Sequence, residues 1–335
     1  MNEKISTLGI IKYKNIVSSI ARYGIFVVFG LIVVLFALSN ERFFTVKNIF
    51  LILQQASPLG IAVVSTIYVL IIAGIDISVG RNMFFAATVV AYLITKTNIL
   101  TLSIFGSGIS FLIIYIITIM IGVLIGLING IIVTKFKILP FIVTLATGGI
   151  LRGFGLMISD SASLNVSKLG ILSNGKIGPV PIVLILFIII VIIFDYILRR
   201  TTFGRHLMAI GNSPEAARKT GINIDRNTII SYIICGGLGA IGGVLSAGQI
   251  GSVPLSFGEG NEFIVISAAV LGGASLFGGK GNILPGAITG IILITTIMNG
   301  LSMVNASPYV YTIVRAVIIF LAVMVDSINY KGELR

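Results

Sequence analysis

Ten stretches of apolar residues, each near the length of a membrane-spanning helix, decide what this sequence can fold into. A helix needs roughly 20 apolar residues to cross the hydrocarbon core of a bilayer. Of the 335 residues, 56% are hydrophobic and 10% are charged, whereas soluble domains carry about 25% charged residues. The sequence therefore predicts an all-α polytopic membrane protein with about ten transmembrane helices. The predicted segments are 23–39, 49–72, 82–97, 107–133, 138–158, 178–198, 227–247, 262–277, 283–303 and 309–326.

The distribution of charge predicts how these segments are oriented. An even number of spans places both termini on one side, and most Lys and Arg residues, Arg81 among them, then fall in segments on that same side. Basic residues are retained on the cytoplasmic face of membranes, so we expect cytoplasmic termini. This gives a cytoplasmic tail at 1–22, a single transmembrane domain at 23–326 with a cytoplasmic loop at 199–226, and a second tail at 327–335. Segments 82–97 and 262–277 are short and interrupted by glycine, so one of them could enter the membrane without crossing it.

Several function classes find no support in the sequence. The net charge of +12 is explained by the cytoplasmic basic residues, so nucleic acid is not expected as a partner. No paired acids, nucleophile–base set or metal-binding cluster is present, which predicts no enzyme activity, no catalytic residue, no metal site and no cofactor in this chain. The stretch GGKGN at 278–282 lacks the Ser or Thr and the preceding strand of a phosphate-binding loop. The chain is therefore not expected to bind ATP.

The polar stretch TTFGRHLMAIGNSPEAARKTGI, residues 201–222, stands out in an apolar chain. Ser213 can cap a helix, Pro214 suits its first turn, Glu215 faces the positive end of the helix dipole, and Gly221 can end the helix. A helix of about two turns is too short to be stable alone. We interpret the stretch as a docking surface for another protein, where small residues would allow a partner to approach closely; the alternative is a structured connector.

Asp76 is the most informative acid, because it follows an apolar run and a charge at membrane depth requires a partner or a wet cavity. It could cap the third helix, or it could belong to a broken helix that borders a transport pathway. Other polar residues and glycines in apolar runs could line that pathway or hold helices together. The pathway and gating candidates are Gln54, Gln55, Gly74, Asp76, Ser78, Asn82, Asn129, Gly272, Gly273 and Asn299.

Two further features concern the segments around the glycine breaks. Glu259 and Glu262 fall in a predicted outer loop without basic residues, where a binding protein could pair with them; otherwise they are solvated acids. The pattern of an apolar run, a glycine break and a second apolar run occurs at 61–94 and again near 272–281. This suggests an internal duplication, which many transporters show.

Four stretches resemble the permeases of ATP-binding-cassette (ABC) importers, in the branched-chain amino acid/ribose permease family. They are GRHLMAIGNSPEAARKTGI within 204–222, IAGIDISVG from Ile72 to Gly80, AAVLGGASLFGGKGNILPGAITG at 268–290 and FFTVKNIFLILQQAS at 43–57. The resemblance implies a type II ABC importer-like fold in the bacterial cytoplasmic (inner) membrane. The implied partners are a second permease chain in a homodimer, a cytoplasmic ATPase that holds ATP and Mg, and an extracytoplasmic sugar-binding protein. The implied ATPase-coupling residues are Gly204, Gly211, Asn212, Ser213, Glu215, Ala216, Ala217, Arg218 and Gly221.

The resemblance predicts import of a ribose-like or other simple sugar. The polar outer stretch 159–177 looks shorter than in ribose permeases, so a nucleoside or a sugar-derived signal molecule remains an alternative cargo. An ion-coupled secondary transporter is a second alternative. It would need several intramembrane acids, and Asp76 and Asp195 are the main candidates.

Overall fold

The computed structural model describes residues 29–96 and 106–333, which are mostly helical. The predicted tail at 1–22 lies outside these residues. The helices are α1 (Phe29–Ser39), α2 (Val46–Ile71), α3 (Val79–Lys96), α4 (Gly106–Lys135), α5 (Pro140–Ile158), α6 (Gly170–Asn174), α7 (Ile182–Arg200), α8 (Thr202–Asn212), α9 (Pro214–Lys219), α10 (Ile224–Ile250), α11 (Asn261–Leu271), α12 (Gly286–Met303) and α13 (Pro308–Glu333).

Each of the ten predicted apolar segments contains one helix. Seven helices are long and apolar enough to cross a membrane, whereas Phe29–Ser39, Val79–Thr95 and Asn261–Leu271 are shorter. The all-α polytopic prediction is confirmed, and the count of ten spans stays a prediction. Helix α13 continues to Glu333, beyond the predicted end of the transmembrane domain, and the tail at 327–335 stays a prediction.

The described residues form two compact units, 29–49 with 293–333, and Phe50–Ile292. In the smaller unit, Asn48 and Asn299 exchange side-chain hydrogen bonds of 2.9 and 3.1 Å. The Asn40 side chain donates from Nδ2 to the Met303 carbonyl oxygen at 3.1 Å. These contacts satisfy amide groups among apolar helices, as expected for polar residues that hold helices together.

The core of the larger unit is built on α10, which packs antiparallel to α4. Gly122 and Gly236 approach so closely that a Cβ atom at either would overlap the carbonyl oxygen of the other, and Gly126 similarly meets Tyr232. Such close contact without side chains stabilises helix pairs in lipid. The start of α3 lies level with the middle of α10, since Val79 adjoins Gly239 and Met83 adjoins Gly243.

Short extended segments connect the helices at one end of this unit. Strand β1 (Leu164–Asn165) pairs antiparallel with β4 (Ser252–Val253), and β2 (Lys176–Ile177) pairs with β3 (Val180–Pro181). A 3₁₀ turn at Ser167–Leu169 follows β1. The polar stretch 159–177 is therefore folded against the chain after α10.

Helices α2 and α11 end in the same way. Each is followed by a residue in the left-handed conformation, Ala73 with φ 56° and Gly273 with φ 95°. In both cases the amide of that residue donates to the carbonyl oxygen three residues earlier, and the next amide donates to the carbonyl oxygen five residues before it. This is the bonding pattern of a Schellman helix end. The ends of α5, α9 and α12 show the same bonding pattern, so it does not set α2 and α11 apart, and the internal duplication stays a prediction.

Candidate coupling and translocation site

The polar stretch after α7 folds into two short helices, α8 and α9. The Ser213 side chain accepts a hydrogen bond from the Ala216 amide at 3.3 Å, Pro214 opens α9, and Gly221 has φ 82° just after the helix. The helix predicted from these residues is confirmed. Sequence reasoning missed α8, although Thr201 caps it by accepting from the Gly204 amide.

The exposed surface of this loop lies on α9. Glu215, Ala216 and Arg218 are exposed, whereas Ala217 is buried against the chain. The exposed side chains carry both a carboxylate and a guanidinium, which can form hydrogen bonds and ion pairs with another protein. Within the single chain, this surface is accessible to a partner.

Gly211 lies where three chain segments meet. A Cβ atom there would overlap the carbonyl oxygen of Ile71 and the amide nitrogen of Gly279. That amide donates a 2.8 Å hydrogen bond to that oxygen. The end of α8 therefore contacts both the end of α2 and the loop at 278–281. We call this contact the α8 junction.

The reason given for the loop glycines needs correction. We expected small residues to allow close approach of a partner protein. At Gly211, however, the space is filled by the backbone of Ile71 and Gly279 in the α8 junction. Gly204 likewise lies against Leu198, so that a Cβ atom would overlap the Leu198 carbonyl oxygen. These two glycines permit close packing within the chain. Their role in coupling stays a prediction, now with a different physical basis.

Hydrogen bonds from an ion pair within α7 connect the end of this helix to residues 282–284. Arg199 Nε donates to Asp195 Oδ1 at 2.9 Å, and that oxygen also accepts from the Leu284 amide at 3.0 Å. Arg199 Nη2 donates to Asn282 Oδ1 at 2.9 Å and to the Leu284 carbonyl oxygen. Asp195 is thus engaged at a helix end, and the ion-coupled alternative stays untested.

Asp76 lies in the irregular segment between α2 and α3 and is 2% exposed. Its Oδ1 accepts hydrogen bonds from the Ser78 amide at 2.8 Å and the Ser78 hydroxyl at 2.6 Å. The two interpretations of Asp76 are therefore compatible. The carboxylate organises the start of α3, and the segment that contains it is a break between two helices.

Four of the predicted pathway residues come together around this break. Asn129 donates from Nδ2 to the Ser78 hydroxyl at 3.0 Å, and Asn82 donates to the Gly236 carbonyl oxygen at 2.8 Å. The side chains of Asp76, Ser78, Asn82 and Asn129 are all buried. In this conformation they hold α3, α4 and α10 together and do not line an open channel.

The other pathway candidates lie apart from this group. Gln54 donates to Asn174 Oδ1 at 3.0 Å, whereas Gln55 is exposed. Gly74 is buried at the end of α2, next to the Tyr232 hydroxyl. Asn299 belongs to the smaller unit, where it pairs with Asn48.

Gly272 and Gly273 end α11. Gly272 packs against Gly286, and a Cβ atom at either residue would overlap the carbonyl oxygen of the other. Gly273 adopts the left-handed φ described above. The predicted glycine break of the eighth segment is confirmed as a helix end, and its part in a pathway stays a prediction.

The structure separates Glu259 and Glu262, because Glu259 is exposed and paired with arginines whereas Glu262 is buried. Glu259 Oε1 lies 3.3 Å from Arg81 Nη1 and 3.1 Å from Arg152 Nη2. Glu262 is 5% exposed, and its carboxylate lies against Gly80. The loop itself holds no basic residue, as the sequence shows, but arginines reach Glu259 from α3 and α5. Docking of a binding protein here stays a prediction.

The same ion pair corrects the charge analysis. Arg81 was assigned to a cytoplasmic segment and Glu259 to an outer one, yet their side chains are in contact. Arg81 lies in the first turn of α3, level with the middle of α10, so it does not count toward a cytoplasmic loop.

Comparison with known proteins agrees with this arrangement of helices and loops. A family model described as branched-chain amino acid transport system / permease component matches residues 48–323. The chain belongs to this family of importer permeases. The matched region includes the α8 junction, the Asp76 segment and the acid–arginine contacts.

The permease is similar to curated proteins that import simple sugars. It is 34% identical to the ribose import permease protein of Escherichia coli (strain K12) over 294 residues, which covers 86% of this chain and 88% of the relative. It is 32% identical to the ribose import permease protein of Bacillus subtilis (strain 168) over 311 residues, 91% of this chain and 92% of the relative. It is 34% identical to the L-arabinose transport system permease protein of Escherichia coli (strain K12) over 316 residues, 93% and 92% of the two chains.

No solved structure matches the permease. With its seven long apolar helices, the permease is a multi-pass inner-membrane protein of the simple-sugar ABC importer type.

Proposed function

We propose that this permease is the transmembrane subunit of an ABC importer that carries a monosaccharide, ribose or a sugar of similar size, into the cell. The relatives named above support this cargo, since two transport ribose and one transports L-arabinose by name. The relatives are permease components, so ATP and Mg belong to a separate cytoplasmic ATPase. The remaining partners are an extracytoplasmic sugar-binding protein and a second copy of the chain. Ten crossings with both termini in the cytoplasm complete the proposal.

The observation that carries the coupling part of the proposal is the α8 junction. Movement of the exposed helix α9 reaches α8 directly, because only Ser213 separates them. At Gly211, α8 contacts the end of α2, which leads into the Asp76 break, and the loop at 278–281, which follows α11. A force applied at α9 would thus act on both broken regions at once.

Co-purification and uptake test the proposal. The permease is expressed with its candidate ATPase and purified in mild detergent, where we expect both chains to be recovered together. In vesicles, the complex with its binding protein should accumulate D-ribose or L-arabinose only when ATP is present. Sugar transport by the permease alone, without ATP, would contradict the proposal and favour an ion-coupled transporter.

A further inference from the structure

Four charged side chains from three segments of the larger unit, α5 among them, lie close together. They are Arg81 near the start of α3, Arg152 within α5, and Glu259 and Glu262 before and at the start of α11. We call them the acid–arginine cluster. It contains two basic and two acidic residues, so its formal charges balance.

The cluster lies within the length of a membrane-spanning helix. Arg152 is inside the candidate span Pro140–Ile158, and its guanidinium carbon lies 4.4 Å from the centre of the Phe84 ring. Charged residues at such depth pair with one another and face the bundle interior or a water-filled cavity, because hydrocarbon does not solvate them. The side chains of Arg81 and Glu259 are 28% and 48% exposed, so they are not enclosed by the chain.

Polar atoms of the cluster remain available for a ligand. Arg152 Nη1 and Glu262 Oε2 are buried and have no hydrogen-bond partner among the described residues. Buried polar atoms without partners are rare in native proteins and call for an explanation such as a ligand or an ion. One helical turn before Arg152, Gly149 is exposed, and a Cβ atom there would meet no atom within 4 Å. The surface of α5 is therefore uncovered by the chain one helical turn from Arg152.

We infer that the acid–arginine cluster is a binding site on the transport route for a neutral, polyhydroxylated solute, with Glu259 accepting and Arg81 or Arg152 donating hydrogen bonds to its hydroxyl groups. A hydroxyl both donates and accepts, so it is matched by a carboxylate beside a guanidinium. The balanced charge favours a neutral solute over an ion. This inference rests on the proposed function, and it makes these residues determinants of specificity within the membrane.

The first test asks whether the cluster faces water. Cys235 is the sole cysteine and is buried, so a Cys235→Ala background permits single-cysteine labelling. In the assembled complex, Glu259→Cys should react with a charged methanethiosulfonate reagent, whereas Ile193→Cys on the exposed apolar side of α7 should not. An unreactive Glu259→Cys would overturn the inference.

The second test measures hydroxyl recognition. Uptake of D-ribose and of each monodeoxy-ribose is compared for the wild type and Glu259→Gln. Loss of a charged hydrogen-bonding partner should reduce ribose uptake roughly tenfold to a hundredfold. The reduction should nearly disappear for the analogue that lacks the recognised hydroxyl, since that interaction is already absent. The binding protein is the same for both permeases. Its preference among sugars therefore cancels when the ratio of mutant to wild-type uptake is compared from one sugar to the next.

Controls separate binding from folding. Lys135→Met, an exposed change at the end of α4, should leave all uptake rates unchanged. The melting temperature of Glu259→Gln is measured in detergent. If Glu259→Gln does not insert into the membrane, Arg81→Lys takes its place in the same comparison of sugars. Equal losses for ribose and every analogue would overturn the inference. If the wild type carries neither ribose nor arabinose, the proposed cargo fails, and the labelling result still decides whether the cluster faces water.

Discussion

Replacement of Gly211 by alanine should uncouple ATP hydrolysis from sugar uptake without preventing membrane insertion. Alanine gains up to about 1 kcal/mol of helix propensity over glycine in α8. Against this, the methyl group would overlap two backbone atoms, Ile71 O and Gly279 N, which are held together by a 2.8 Å hydrogen bond. Overpacking costs about 1–3 kcal/mol, and breaking the hydrogen bond costs about 1 kcal/mol more.

The net cost at the α8 junction is therefore about 1–3 kcal/mol, and the simplest relief is separation of α8 from the loop at 278–281. Since about 1.4 kcal/mol corresponds to a factor of ten, we expect the sugar carried per ATP to fall roughly tenfold to a hundredfold. The assay is radiolabelled uptake and ATP hydrolysis by the same vesicles, with the amount of inserted permease measured in parallel.

Gly30→Ala is the matched control, because a Cβ atom at this helical glycine meets nothing within 4 Å. It should leave the ratio of uptake to hydrolysis unchanged. A normal ratio for Gly211→Ala at normal expression would refute the argument that this contact transmits the motion.

Three further changes test other parts of the site. Glu215→Ala should alter thermal stability by no more than about 0.5 kcal/mol, as is usual for exposed positions, but should weaken recovery of the ATPase in co-purification; undiminished recovery would argue against α9 as the docking surface. Asp76→Ala should destabilise the permease by roughly 1–3 kcal/mol because the buried Ser78 groups lose their acceptor, while Asp76→Asn, which keeps an oxygen acceptor, should cost less. Equal losses of melting temperature for both would show that the negative charge matters in itself. Gly221→Ala should cost about 1 kcal/mol because of its φ of 82°, and Gly221→Asn should cost less, both measured by thermal unfolding.

The sequence alone was enough to predict the apolar helices and the start of α9, although not α8. Apolar runs predict helices directly, and each predicted segment contains a helix, seven of which are long enough to span a membrane among the described residues. The start of α9 follows from Ser213 and Pro214, whose capping chemistry acts within three residues. Such features depend on neighbours in the chain, so a single sequence reveals them.

Only the tertiary structure decided which distant residues meet. Arg81 and Glu259 are 178 positions apart, and no periodic pattern in the sequence indicates that they form an ion pair. Gly211 was named from the sequence as a coupling residue, but its contacts with Ile71 and Gly279 are visible only in the folded chain. Close backbone packing and charge pairing depend on where the folded helices cross, and that is determined by the packing of the whole bundle and not by any one segment.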